Sequence, residues 1–317
     1  MTDAVERTLG DLGMGGVFYA VSDLAAPWGI EMPPLPGTMM FHLVIRGRMV
    51  IKLADVAAEV VPGMVLIIPH GQGHAIADTH GTPLTPLFSL PRSEVGERYE
   101  RITVSGPGEV TELVCGGVSF SGLTTSRLVS TLPPLLEIGH GLDPGWIDAA
   151  FALMAAETRD SRPGADAITA RIADVLVIQA IRAWVRDHPA STGWVAALRD
   201  PRIGAVLDDI HDNPAGPWTL IRLADRAHLS RSAFAARFTH LLGEPPMAYV
   251  TSWRMDLAAQ LLRGRDLSLA RVAERVGYRS EASFNRAFKR AHGVTPGAYA
   301  RRGTAFVENV DLTTITG

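Results

Sequence analysis

An α+β multidomain chain is predicted: a small N-terminal β-barrel, a helical linker, and a C-terminal all-α domain that uses one helical hairpin twice. Three observations predict it. Short apolar runs broken by Gly, Pro and Asp dominate residues 17 to about 120. From about residue 130 the apolar period changes to three and four. Between residues 219 and 300 the chain repeats itself at an offset of 50.

Composition sets the frame. The 317 residues allow two compact domains on a size prior of ~100–200 residues each. A hydrophobic content of 47% with 20% charged residues suits a soluble globular protein. No run approaches the ~18–20 apolar residues of a membrane span, so no membrane partner is expected. Met1 to Leu12 carries Asp3, Glu6 and Asp11 and no apolar h-region, so no secretory signal is expected. The single cysteine, Cys115, excludes an intrachain disulfide and any multi-thiolate metal site. A reducing cytoplasm is the expected home.

The N-terminal region is read as β. Phe41-His42-Leu43-Val44-Ile45 and Met64-Val65-Leu66-Ile67-Ile68 are strands, with turn signals every 8–12 residues, as in a sandwich or barrel. Pro33-Pro34-Leu35-Pro36-Gly37 and Gly81-Thr82-Pro83 are turns or loops. Two helical stripes follow. One is Trp146, Ile147, Ala150, Phe151, Met154 and Ala155; the other is Ile168, Ile172, Val175, Leu176, Gln179, Ala180 and Trp184. Pro189 to Gly193 breaks the pattern, and Pro201 opens a third helical segment.

The repeat is the strongest signal. Ser230, Phe234, Phe238, Gly243, Pro246 and Tyr249 recur as Ser280, Phe284, Phe288, Gly293, Pro296 and Tyr299. Six identities in register imply one supersecondary unit used twice. In the first copy Thr219 can cap a helix that packs Leu220, Leu223, Ala224 and Ala227 inward, and His228-Leu229-Ser230 turns into a second helix. In the second copy Ser268 caps, Leu269, Val272, Ala273 and Val276 pack, and Gly277-Tyr278-Arg279 turns, with Gly277 free to take positive φ. Helix, short turn, helix is the helix-turn-helix pattern, against the plainer reading of an ordinary helical hairpin. Pro246 to Leu262 is one long helix between the copies.

Charge separates the two regions. The net charge is −3, yet residues 205–302 hold 15 Arg/Lys against 9 Asp/Glu. A basic module on an acidic remainder is expected when only one end meets phosphates. Fourteen of those 15 cations are arginine, which suits bidentate phosphate or guanine contacts. Genomic base composition would also explain the bias, since the whole chain has two lysines.

The run Val272-Ala273-Glu274-Arg275-Val276-Gly277-Tyr278-Arg279-Ser280-Glu281-Ala282-Ser283-Phe284-Asn285-Arg286-Ala287-Phe288-Lys289-Arg290, with Gly293-Val294-Thr295-Pro296 after it, resembles the DNA-binding domain of the AraC/XylS family of transcription regulators. The resemblance covers residues 205–302. It implies seven helices, the third and sixth entering adjacent major grooves. It implies no enzymatic activity, and it implies duplex DNA, RNA polymerase and a small-molecule effector as partners, with a homodimer formed through the helical segment.

Candidate DNA contacts follow from side-chain chemistry. In the second copy these are Arg279, Glu281, Ala282, Ser283, Asn285, Arg286, Lys289 and Arg290. Asn285 and Arg286 can pair bidentately with adenine and guanine, and Arg279, Lys289 and Arg290 suit phosphates. In the first copy they are Arg231, Ser232, Ala235, Ala236, Arg237 and Thr239, with His240 also on offer. The family often has arginine where this chain has Ala236. Either Arg237 substitutes, or the helix reads thymine methyls through Ala235 and Ala236. Arg231, at the helix start, suits a phosphate.

Gly63-x5-Pro69-His70-Gly71-Gln72-Gly73-His74 is similar to the second cupin motif, and residues 38–80 resemble the effector domain of a subset of AraC-type regulators. Cupins are small β-barrels that often carry histidines in the lumen. His42 and His74 are therefore candidates for effector contacts, or for a divalent metal with His80 or His70 as further ligands. A metal-dependent cupin normally has a glutamate in its first motif, and none follows His42 here, so no cofactor is required. A buried histidine satisfied by backbone groups is the alternative. Asp78 could orient His74. Cys115 is read as a buried small hydrophobe rather than a redox sensor, because it has no partner thiol.

The expected organisation is a cupin-like sensor domain over 1–125, a helical linker and dimerisation segment over 126–200, the DNA-binding domain over 201–302, and a tail over 303–317. Two rivals are weighed: a metal-dependent cupin oxygenase with a helical appendage, and a DNA-binding protein with a ligand-free barrel.

Overall fold

A computed structural model describes residues 13–96, 99–138, 149–150, 152–154, 156–157, 164–187, 193–264 and 267–307. Trp146, Ile147, Phe151 and Ala155 of the first expected helical stripe, and the tail beyond 307, lie outside the described residues. The chain divides into two compact units, one of residues 12–121 and 128–189, the other chiefly of residues 190–317 together with 122–127.

Among the described residues the first unit holds twelve strands in two sheets. β1 (Gly13–Ala25) and β11 (Val110–Ser121) form a long antiparallel ladder, from Gly13 opposite Ser121 to Ala25 opposite Val110. β3 (Thr38–Arg46), β6 (Val65–Ile68) and β12 (Leu136–Ile138) extend it on one side. β10 (Tyr99–Val104), parallel to β1, and β9 (Arg92–Gly96) extend it on the other. The smaller sheet runs in the order β5 (Val56–Val60), β4 (Met49–Leu53), β7 (His74–Ala77), β2 (Gly29–Met32) and β8 (Thr85–Pro86).

The expected barrel is therefore corrected to two mixed sheets. The reason lies at the edges of the smaller sheet. β8 has two residues and ends on Pro86, which has no N–H to continue a ladder. β5, at the other edge, is mostly exposed. The chain crosses from the large sheet to the small one at Gly47, whose φ of +83° and 2.9 Å clearance from its virtual Cβ to Thr111 Oγ1 leave no room for a side chain. Leu24, Met40, Val44, Leu66 and Leu113 from the large sheet meet Ile30, Met49, Ile51, Val60 and Ile76 from the small one in a single buried core.

α1 (Leu123–Ser130) lies between β11 and β12, and α2 (Ala165–Asp187) follows β12. α2 buries Ala173, Leu176, Val177, Ala180 and Ile181, while Ile168 and Val175 stay exposed. The expected stripe was thus rotated by part of a turn. Its periodicity was right, but Asp174, a polar residue, lies on the inner face, where it accepts from Tyr19 Oη at 2.7 Å. A buried carboxylate satisfied across the fold is invisible to an apolar pattern.

Among the described residues of the second unit, α3 (Trp194–Arg199) precedes seven helices: α4 (Pro201–Asp212), α5 (Leu220–Arg226), α6 (Arg231–Leu242), α7 (Pro246–Gly264), α8 (Leu269–Arg275), α9 (Glu281–His292) and α10 (Pro296–Val307). All four expected caps form. Thr219, Ser230, Ser268 and Ser280 accept from the amides of Arg222, Ala233, Arg271 and Ser283. Each such cap is worth ~1 kcal/mol. The left-handed turn position is His228 in the first hairpin, at φ 53°, and Gly277 in the second, at φ +82°.

The aromatic repeat is also a repeat in space. Phe238 meets Tyr249 edge-on at 5.5 Å, and Phe288 meets Tyr299 edge-on at 5.4 Å. Phe234, Phe238, Phe284 and Phe288 are fully buried. The register differs in one respect. The first helices of the two hairpins match at an offset of 49, Thr219 to Ser268, and the second helices at 50, Ser230 to Ser280. The second turn is one residue longer, and Arg279 stands exposed within it.

Candidate nucleic-acid interface

Burial of two phenylalanines one turn apart decides which face α9 shows to solvent. With Phe284 and Phe288 inward, Glu281, Ala282, Asn285, Arg286, Lys289 and Arg290 are exposed and Ser283 is half-buried. All the expected residues of the second copy except Ser283 are thus exposed, Arg279 in the preceding turn. Arg286 Nη2 donates to Ser283 Oγ at 3.2 Å, a single exposed bond within the helix that a stronger acceptor can replace. Lys289, Arg290 and His292 occupy the last turn, where positive charge favours the helix dipole.

The same logic orders α6. Phe234, Phe238 and Leu241 face inward. Arg231, Ser232, Ala236, Arg237, Thr239 and His240 are exposed, and Ala235 is half-buried. Arg237 differs from the other exposed cations of this helix. Its Nε and Nη2 both donate to Asp200 Oδ2, the first at 2.8 Å. Asp200 Oδ1 accepts from the amides of Arg202 and Ile203 at 3.0 Å and caps α4. Burial pushes the Asp200 carboxyl up, but the Arg237 guanidinium and the two amides outweigh it and hold the group below its ordinary value.

Asp200 and Arg254 are structural residues that sequence reasoning missed. Arg254 on α7 donates to the carbonyls of Pro214 and Gly216, both at 2.7 Å, and so fixes the loop before α5. The Asp-Pro signal before a helix marks Asp200 as a cap in the sequence, but nothing there marks Arg237 as its partner.

The histidines expected in the β-unit do meet. His42 on β3 and His74 at the start of β7 face each other across the sandwich, Nε2 to Nε2 at 2.7 Å. His74 Nδ1 donates to the Gln72 carbonyl at 3.0 Å, so its Nε2 accepts, and His42 Nε2 donates. His42 Nδ1 then accepts from Cys115 Sγ at 2.9 Å, across the β3–β11 ladder. The network thus fixes both tautomers and makes Cys115 a thiol donor. Burial lowers both imidazoles, for His42 with added repulsion from His74, and pushes the Cys115 thiol up to about 12.

These residues do not fit a metal centre. Two ligands at ~2.0–2.1 Å from a tetrahedral ion stand ~3.3 Å apart. Here the two nitrogens share a proton at hydrogen-bond distance, and the thiol lies on the far nitrogen of His42. His70 Nε2 is engaged with the Leu132 carbonyl, and His80 is exposed. No cluster of three His, Cys, Asp or Glu arranged for a metal occurs among the described residues. Asp78 bonds Thr79 and Thr82, so the expectation that it orients His74 is corrected: the Gln72 carbonyl does. Asp78 turns back on its own loop, as an Asx residue does.

The cupin family model matches residues 3–186, and a helix-turn-helix domain model matches residues 223–302. The transcriptional regulator AlkR of Acinetobacter baylyi is 28% identical over 305 residues, 95% of this chain and 99% of that protein. An AraC-like transcription regulator of Streptomyces lividans is 32% identical over 283 residues, 87% of this chain and 91% of that one. Among solved structures, the DNA-binding domain of AdpA in complex with a target DNA is 32% identical, with a TM-score of 0.32, covering 33% of this chain and 95% of that one.

Proposed function

Because the chain belongs to the AraC family of DNA-binding transcriptional regulators, with a cupin domain and a helix-turn-helix domain, we propose that α6 and α9 are its recognition helices. The observation that carries this reading is the exposed face of α9. Asn285, Arg286 and Lys289 are exposed on it, while Phe284 and Phe288 are buried. Asn and Arg are the side chains that read adenine and guanine edges bidentately, and the flanking cations suit phosphates. Under this reading Asn285 and Arg286 read bases, and Arg231, Arg279, Lys289 and Arg290 hold the backbone.

The cupin domain is the sensor, and a small-molecule effector is its ligand. His42 and His74 are polar side chains buried inside the sandwich, and an effector that takes one of their hydrogen bonds would couple binding to the packing of both sheets. Such a ligand shifts activity only if it binds two states of the regulator unequally. Homodimerisation through the helical segment is supported by Leu153, Ile168 and Val175, apolar side chains left 48%, 42% and 44% exposed. Paired copies raise affinity for paired sites by linkage. RNA polymerase in the cytoplasm completes the partner set. Among the described residues no helix is long and apolar enough to cross a membrane.

The test begins with duplexes selected by the full-length protein from a random pool. Arg286→Ala is expected to weaken the selected duplex by ~1–3 kcal/mol and to relax preference at one base pair. Unchanged affinity and unchanged preference would remove Arg286 from the interface.

A further inference from the structure

The offset of 50 lays α6 on α9 position for position. Asn285 corresponds to Ala235, Arg286 to Ala236, Ala287 to Arg237, Lys289 to Thr239 and Arg290 to His240. At the two positions where α9 offers hydrogen-bonding groups, α6 offers two methyls.

Arg237 does not make up the difference. Arg237 is itself exposed, unlike its half-buried counterpart Ala287, but its guanidinium is committed. Two of its nitrogens bond one oxygen of Asp200, whose other oxygen caps α4. Asp200 is only 9% exposed. Turning Arg237 toward DNA would strip a nearly buried carboxylate of its charge partner, and such pairs are among the stronger contacts in proteins. Arg237 therefore belongs to the scaffold of the first hairpin.

What remains is the exposed Ala236 beside the half-buried Ala235, with Thr239 exposed one turn on. In the major groove, thymine alone among the unmodified bases carries an apolar group, its C5-methyl. We propose that α6 recognises its half-site through thymine C5-methyl groups, while α9 reads purine edges by hydrogen bonds. The operator is then chemically asymmetric, with a thymine-bearing half and a purine-edge half. This rests on the proposal that α6 and α9 are recognition helices and names what α6 recognises.

The experiment uses the full-length chain and its selected duplex. The half whose preference relaxes in Arg286→Ala belongs to α9, which identifies the other as that of α6. Deoxyuridine then replaces thymidine in one half at a time, which removes the methyl and leaves every hydrogen-bonding group. In the α6 half each contacted methyl removed is expected to weaken binding about three- to fourfold, the effect of one buried methylene. The same replacement in the α9 half is expected to change little. Ala236→Ser is expected to narrow the thymidine–uridine difference in the α6 half, and Arg237→Gln to leave the base preference of that half unchanged. Equal binding of the two duplexes, or a guanine preference in the α6 half that disappears in Arg237→Gln, would overturn the inference while leaving DNA recognition standing. Failure to enrich any duplex would overturn the underlying reading instead.

Discussion

Truncating Phe288 to alanine is expected to destabilise the second helix-turn-helix unit by ~3–5 kcal/mol, a large share of the stability of an ordinary domain. The ring is fully buried, edge-on to Tyr299 at 5.4 Å, 5.7 Å from Phe284, and 4.5 Å from His292, whose Nε2 bonds the Met255 carbonyl. Its removal therefore opens a cavity where α7, α9 and α10 meet. Urea unfolding followed by tryptophan fluorescence measures the loss, since Trp253 lies on α7. Phe288→Leu, which keeps most of the volume, is expected to recover most of it. A Phe288→Ala protein with an unshifted midpoint would mean that the aromatic repeat does not hold the unit together.

Ionic strength is expected to have an effect of comparable size on binding. If Arg231, Arg279, Lys289 and Arg290 each neutralise one phosphate, the log–log slope of affinity against salt is about −3.6, which is roughly a hundredfold loss between 50 and 200 mM. Lys289→Ala is expected to flatten the slope by about one and to weaken selected and scrambled duplexes alike, because a phosphate contact carries no sequence information. Fluorescence anisotropy at several salt concentrations gives both quantities. A flat salt profile would contradict the assignment of these cations to the backbone.

The parts of this molecule that the sequence made legible are those set by neighbours in the chain. Ser230 and Ser280 announce their helices because a cap needs only a side-chain oxygen and an amide three residues on. Gly277 announces its turn because positive φ is a local requirement. Phe284 and Phe288, one turn apart, orient α9 and with it the whole candidate interface. His74 was legible through a motif that fixes the corner before it, and His42 only through the wider resemblance of residues 38–80.

What stayed hidden depends on distant partners. Arg237 and Asp200 are 37 residues apart and meet only once α4 and α6 pack. Cys115 reaches His42 because β3 and β11 pair in one particular register, and a shift by one residue would turn the thiol to the other face. The burial of Asp174 depends on Tyr19, 155 residues away. Barrel and two-sheet sandwich share the same alternation of inward and outward side chains, so strand pattern alone could not choose between them.

The central claim is that two helix-turn-helix units, joined by the ~28 Å rod of α7, grip one face of a double helix. Hydroxyl-radical footprinting of the selected duplex bound to the full-length protein tests it most directly. Two protected patches about 10 base pairs apart on the same face are expected for each bound copy. A single patch, or uniform protection that is the same on a scrambled duplex, would contradict it.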